Sequence, residues 1–283
     1  MSKHFYGFLL LLVFSACGKD KEQPSPTEPA YPSATTLNVS YGDDPLQKMD
    51  IYLPSRHLDT TKVIILIHGG SWTEGDKSDF DPYVAGLQKR LPGYAFFNLN
   101  YRLYLNSTNR FPAQEEDIKS ALDFIYSRRS EYHISDKFVL LGASAGAHLT
   151  LLQGNKYSAP VKPKALVSFF GPVDLSSLYN TSSYAASALS KVTGGSPSTV
   201  PAIYASSSPD NYITSVTPPT IFLQGGADQI VPPSQSELLQ SLLQTAGVPN
   251  QYVFYPSKAH GWTGTELQDS FDKIAAFLTK YVQ

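Results

Sequence analysis

The sequence predicts an α/β fold built on a mostly parallel sheet, and three observations carry that prediction. Residues 63–67, 95–99, 138–141, 166–170 and 220–223 are short, continuous apolar runs, the pattern of strands buried on both faces. Between them lie segments with helical spacing. In 114–129, Ile118, Ala121, Leu122 and Ile125 recur at three and four residues and make one apolar face. The third observation is the stretch KFVLLGASAGAHLTLL at 137–152, which reads as strand, sharp turn and helix, with the small-residue run Gly142-Ala143-Ser144-Ala145-Gly146 at the turn. With 283 residues and no internal repeat, the chain is long enough to bury one full core.

Taken in order, the chain opens on Lys3 and His4, an apolar run at 5–14, then Ser15, Ala16 and Cys17. Ten apolar residues are too few to span a bilayer but match the hydrophobic region of a secretory signal. Phe-Ser-Ala-Cys resembles the lipobox of bacterial lipoproteins, which implies a signal peptide over 1–17, lipidation at Cys17 and an exported, membrane-anchored protein, periplasmic or at the cell surface. Cys17 is the only cysteine, so an intrachain disulfide and a cysteine-based metal cluster are excluded. Residues 18–35 are charged and then proline-rich, with almost nothing to bury, and read as an extended tether ahead of a folded domain over 36–283. The net charge is -2 with the two signs interspersed; there is no basic stripe for nucleic acid.

Residues 37–41 and 49–53 alternate apolar and polar across Gly42-Asp43-Asp44-Pro45 and predict an antiparallel hairpin at a sheet edge. Residues 251–255 are strand-like. Helices are expected over 234–246, stopped by Gly247 with Pro249 following, and over 266–281. The stretch 173–216 differs: Ser, Tyr, Ala, Gly and Pro dominate, no strand is evident, and it is too long for an ordinary connection. Such an insertion at the C-terminal edge of the sheet is either a small cap that touches substrate or a surface excursion.

A serine at a strand–turn–helix junction stands clear of the sheet, and Ser144 is the candidate nucleophile. It needs a base, an acid to orient the base, and amide donors for an oxyanion. Of six histidines, His260 has the best setting, in a loop after 251–255 and before the last helix. Asp228 follows the run 220–223 directly, so its side chain falls at the same edge; Asp210, Asp269 and Glu237 are fallback acids without comparable placement. His68-Gly69-Gly70-Ser71-Trp72 ends the run 63–67 in a flexible loop, with the amides of Gly70, Ser71 and Ala145 as candidate oxyanion donors. Trp72 and Trp262 are candidate pocket walls. His68 is expected to brace its loop, His148 to be a packed structural residue, and His57 and His133 to sit in surface loops.

These residues, with Met49-Asp50-Ile51-Tyr52-Leu53-Pro54, Tyr101-Arg102-Leu103 and His260-Gly261-Trp262, resemble the α/β-hydrolase superfamily, specifically the HGGxW esterases. That group includes carbohydrate acetyl and feruloyl esterases, hormone-sensitive-lipase-like esterases and kynurenine formamidase. The resemblance implies an eight-stranded, mostly parallel sheet with helices on both faces. It also implies a two-step acyl-enzyme reaction without metal or cofactor: Ser144 attacks, His260 carries the proton, Asp228 orients His260, and the loop amides hold the oxyanion. The implied substrate is a carboxylic ester, of a carbohydrate or a small molecule. The alternatives are a formamidase-like amidase, a short-chain lipase and a non-catalytic binding protein on the same fold.

Overall fold

The computed structural model describes Met1 and residues 31–283. In chain order the elements are strands β1 (Ala34–Ser40), β2 (Lys48–Leu53) and β3 (Lys62–Ile67), helix α1 (Asp81–Gln88), strand β4 (Tyr94–Leu99), and helices α2 (Ala113–Ser127) and α3 (Arg129–Tyr132). Strand β5 (Phe138–Ala143), helix α4 (Ala145–Lys156) and strand β6 (Ala165–Phe169) follow. Then come helices α5 (Leu175–Tyr179), α6 (Ser183–Thr193) and α7 (Pro201–Ser207), strand β7 (Thr220–Gly225), helix α8 (Pro233–Thr245), strand β8 (Asn250–Tyr255) and helix α9 (Gly264–Tyr281).

The eight strands form one sheet in the order β1-β2-β4-β3-β5-β6-β7-β8. β2 runs antiparallel to both β1 and β4, and every other pairing is parallel. The expected hairpin is therefore the sheet's edge, as its alternating pattern requires. The central strands are sealed on both sides. Val63, Ile65 and Ile67 of β3 join Phe138 and Leu140 of β5 and Ile118, Leu122 and Ile125 of α2 on one face. Ile64 and Leu66 join Val139, Leu141, and Leu87 of α1 and Phe271 and Ile274 of α9 on the other. Each such fully buried Ile, Leu or Phe contributes roughly 1.5–3 kcal/mol relative to exposure, which is why these strands carry unbroken apolar runs.

Several boundaries move. The sequence places a tether over 18–35, but the fold takes up the chain by Tyr31, whose amide donates to the His57 carbonyl at 3.3 Å and whose ring stacks on His133 at 3.5 Å. His57 is consequently not a surface residue; it is 5% exposed, with Nδ1 2.8 Å from the Pro54 carbonyl. The signal segment, Cys17 and the rest of the tether lie outside the described residues. Among the described residues no helix is long and apolar enough to cross a membrane. The insertion at 173–216 contains no strand but is not structureless. It folds into α5, α6, α7 and a 3-10 turn at Pro209–Tyr212. Asp174 and Ser182 cap the starts of α5 and α6 by accepting from Ser177 and Ala185 amides.

Candidate active site

The turn between β5 and α4 is set by steric exclusion. A Cβ on Gly142 would lie 2.2 Å from the Gly146 carbonyl oxygen, and one on Gly146 would lie 2.0 Å from the Ile67 carbonyl oxygen. Only glycine lets the helix descend this close to the sheet. Ser144, between them, takes φ 53 and ψ -121, a conformation that costs a residue with a side chain about 1–3 kcal/mol. Its amide donates to Phe169 at 2.9 Å and its carbonyl accepts from His148 at 3.0 Å, so backbone bonds on both sides hold the strain. The hydroxyl is thereby held at the C-terminal edge of the sheet.

Two loops meet Ser144 there. The loop after β7 carries Asp228, whose Oδ1 accepts from the amides of Ile230 and Val231 at 2.9 Å each. Its Oδ2 accepts from Gln224 Nε2 at 3.2 Å and lies 2.8 Å from His260 Nδ1. The loop after β8 carries His260 and is tied to the first by Ala227, whose amide donates to the Lys258 carbonyl at 2.9 Å. His260 Nε2 lies 2.9 Å from Ser144 Oγ. An ionised carboxylate only accepts, so Nδ1 carries the ring proton and Nε2 is left to accept from the Ser144 hydroxyl. Phe170 packs on the His260 ring at 4.6 Å and limits its tilt. The fallback acids stand elsewhere: Asp269 pairs with Lys273 and Tyr255, Glu237 is exposed on α8, and Asp210 lies in the 3-10 turn of the insertion.

The loop after β3 supplies the remaining groups. Gly70 has φ +106, and Ser71 and Trp72 follow at φ 50 and 61, three consecutive residues with positive φ. Thr73 and Glu74 amides both donate to the Gly70 carbonyl at 3.0 Å and close the turn. Among the described residues the amides of Gly70 and Ser71 donate to no backbone carbonyl, and Ala145 opens α4, where an amide has no partner within the helix. His68 lies beneath, its Nδ1–H donating to the Gly69 carbonyl at 2.7 Å and its ring stacked on Tyr101 at 4.4 Å. Burial lowers its pKa, which keeps it neutral.

Trp72 is 3% exposed, and its Nε1–H donates to His148 Nδ1 at 3.3 Å. His148 in turn donates from Nε2 to the Ser207 carbonyl at 2.6 Å, linking the loop, the helix after the serine, and α7 of the insertion. Burial holds the pKa of His148 down to about 4, so it is a neutral linker at neutral pH.

Ser144, Ala145, Ser71 and Trp72 line a narrow cleft whose other walls are Pro172, Leu178, Tyr184, Ala185, Ala188, Leu189, Ile230 and Val231. Leu178 comes from α5 and Tyr184 to Leu189 from α6, so the insertion forms one wall. Neither these residues nor Phe170 carries a motif that the sequence alone could flag. Trp262, expected at the pocket, is not in its lining. Gly261, at φ +102, turns the chain so that Trp262 packs beneath α9 on the opposite face, its Nε1–H donating to Ser270 Oγ at 2.9 Å. Among the described residues no group of three or more His, Cys, Asp and Glu side chains could hold a metal ion.

A mostly parallel eight-stranded sheet with a serine at the turn after β5, a carboxylate after β7 and a histidine after β8 defines the α/β-hydrolase class. Within that class the chain belongs to the BD-FAE family, which it matches over residues 49–243. It is 26% identical over 250 residues to isoprenylcysteine alpha-carbonyl methylesterase ICME of Arabidopsis thaliana, an alignment covering 82% of this chain and 57% of that relative; the chain thus spans little more than half of its length. It is similar to the solved structure of a bifunctional GH43-CE protein of Bacteroides eggerthii, with a TM-score of 0.78 and 26% identity, over 88% of this chain and 38% of the other. A truncated carbohydrate esterase from gut microbiota superimposes with a TM-score of 0.73 and 25% identity, over 89% of this chain and 99% of the other.

Proposed function

We propose that the protein hydrolyses carboxylic esters through a covalent acyl intermediate on Ser144. The observation that carries this reading is the continuous pair of hydrogen bonds from Asp228 through His260 to Ser144, at 2.8 and 2.9 Å, opening onto an apolar cleft. Ser144 Oγ attacks the ester carbonyl carbon while its proton passes to His260 Nε2. Asp228 keeps the ring in the Nδ1–H tautomer and stabilises the imidazolium that forms. The developing oxyanion accepts from the amides of Gly70, Ser71 and Ala145, whose directions are fixed before substrate arrives, so no reorganisation is needed as charge builds. On collapse, His260 returns the proton to the leaving alcohol oxygen. Water then attacks the acyl-enzyme, giving its proton to His260, and the carboxylic acid and free Ser144 are released.

The similarity to carbohydrate esterase structures supports an acylated carbohydrate as the alcohol side. Hydrolysis of p-nitrophenyl acetate by the wild type and its loss in Ser144→Ala test the reaction class; activity that survives the substitution contradicts it. Acetylated xylan, methyl ferulate and N-formylkynurenine, assayed side by side, then separate carbohydrate ester, aromatic ester and formamide as substrates.

A further inference from the structure

Ser71 stands where an HGGG-type loop has its third glycine, and it holds a left-handed φ of 50 that glycine would adopt without strain. The hydroxyl has a specific contact: Ser71 Oγ lies 2.8 Å from Tyr184 Oη, 113 positions along the chain. Tyr184 sits in the first turn of α6, just after the Ser182 cap. That helix is anchored by Ala185, Leu189 and Val192, all buried, whereas Tyr184 is 51% exposed. Its ring is therefore not needed to seat the helix. Both hydroxyl-bearing residues line the same cleft as Ser144, so their hydrogen bond joins the oxyanion loop to the insertion across the cleft.

Apart from Ser144 and Trp72, whose indole N–H is already engaged with His148, the rest of the lining is apolar. Pro172, Leu178, Ala188, Leu189 and Val231 offer carbon surface and no side-chain hydrogen-bond donor or acceptor. A hydroxyl-rich alcohol would lose its bonds to water there at a cost of about 1–3 kcal/mol for each group left unpaired, whereas an acyl chain loses none. Such a lining suits the acyl part of an ester, with a polar alcohol at the mouth.

We propose that Tyr184, held by Ser71, closes the acyl pocket and sets the upper limit on the acyl chain the enzyme accepts. This rests on the hydrolase reading above. A rim residue anchored through one hydroxyl, on a helix seated by other side chains, can change without loss of the fold. Filling or opening a pocket by one methylene changes discrimination about 10- to 200-fold.

The test measures kcat/KM for p-nitrophenyl acetate, butyrate and octanoate, and for ethyl, butyl and octyl acetate, in the wild type, Tyr184→Ala and Tyr184→Phe. The wild type is expected to prefer acetate or butyrate over octanoate. In Tyr184→Ala the octanoate-to-acetate ratio should rise at least tenfold, with the alkyl acetate profile unmoved. Tyr184→Phe, which keeps the ring but not the hydroxyl, should rise by less. Three results overturn the proposal: a wild type that takes octanoate as readily as acetate, an acyl profile in Tyr184→Ala within twofold of the wild type, or a shift confined to the alkyl acetates. Fluorophosphonate labelling of Ser144, run on the same preparations, separates the two readings. Labelling with an unmoved acyl profile sinks only the gate, and a folded wild type that does not label sinks the hydrolase reading beneath it.

Discussion

The two sides of the cleft are built differently. Ser144 and Asp228 stand on turns that leave buried parallel strands and His260 on the loop after the parallel edge strand β8, and each is pinned by backbone bonds: the Ser144 amide to Phe169, the Asp228 carboxylate to two amides, and the His260 loop to Ala227. The opposite wall is the insertion, three short helices rich in serine and alanine, whose Tyr184 reaches the cleft half-exposed and held by one hydroxyl contact. The proposed chemistry needs reacting groups held to a fraction of an ångström, which a sheet edge can supply; the proposed selectivity needs a surface that can change without disturbing the first, which a helical excursion can supply. His148 is where the two meet, bonded to Trp72 on one side and to Ser207 of the insertion on the other.

Substitutions on the sheet side should therefore cost far more activity than those on the insertion. Asp228→Asn preserves shape but offers His260 the wrong tautomer, and kcat for p-nitrophenyl acetate should fall on the order of 10⁴-fold with the melting temperature within a few degrees of wild type. A loss under tenfold would remove the distinction between the two walls. Tyr184→Ala, by contrast, should redistribute activity among acyl chains by about tenfold.

The linker between the walls should show itself in stability. Burial holds His148 near pKa 4 against an ordinary 6.5, so the unfolded chain takes up the proton first as pH falls. Its stabilising contribution is complete above pH 6.5 and is lost towards pH 4, by about 3 kcal/mol, and His68 shifts in the same direction. Urea unfolding of the wild type should show this loss between pH 7 and 4.5. His148→Gln should be less stable at pH 7 and flatter in pH; a variant as steep as the wild type would assign the loss to other groups.

The smallest expected effect lies within the insertion. Burial first, and the charge of Asp174 second, push Asp210 up to about 6, and its Oδ1 is buried without a hydrogen-bond partner. The sign is opposite to that of His148: the folded state binds this proton more tightly, so stability is lost as pH rises through 6. Asp210→Asn should raise the melting temperature by a few degrees at pH 8 and change it little at pH 4. An unchanged melting temperature at pH 8 would mean the charge is already solvated.

The same contrast explains how much was legible in the sequence. The strands could be read because helices cover both faces and force unbroken apolar runs such as Val63 to Ile67. The sequence places Ser144 and Asp228 after such runs and His260 after the strand-like 251–255, and the structure brings the three together because strand ends share one edge in a parallel sheet. Helices α5 to α7 were not readable, since Ser- and Ala-rich segments give little apolar contrast, and with them went Tyr184 and Leu189. Trp262 shows the limit of proximity in sequence: two residues from His260, it is turned to the other face by the left-handed Gly261. His57 was misassigned because what buries it is Tyr31, a long-range partner in a segment that reads as linker.

The central claim is that the sheet-built side carries a nucleophile activated by its neighbours. Reaction of the folded protein with a fluorophosphonate, followed by peptide mass spectrometry, tests it most directly. The expected result is one stoichiometric adduct on Ser144, absent in Ser144→Ala and slowed at least a hundredfold in Asp228→Asn. No adduct on the folded wild type, or an adduct on another residue, contradicts the account.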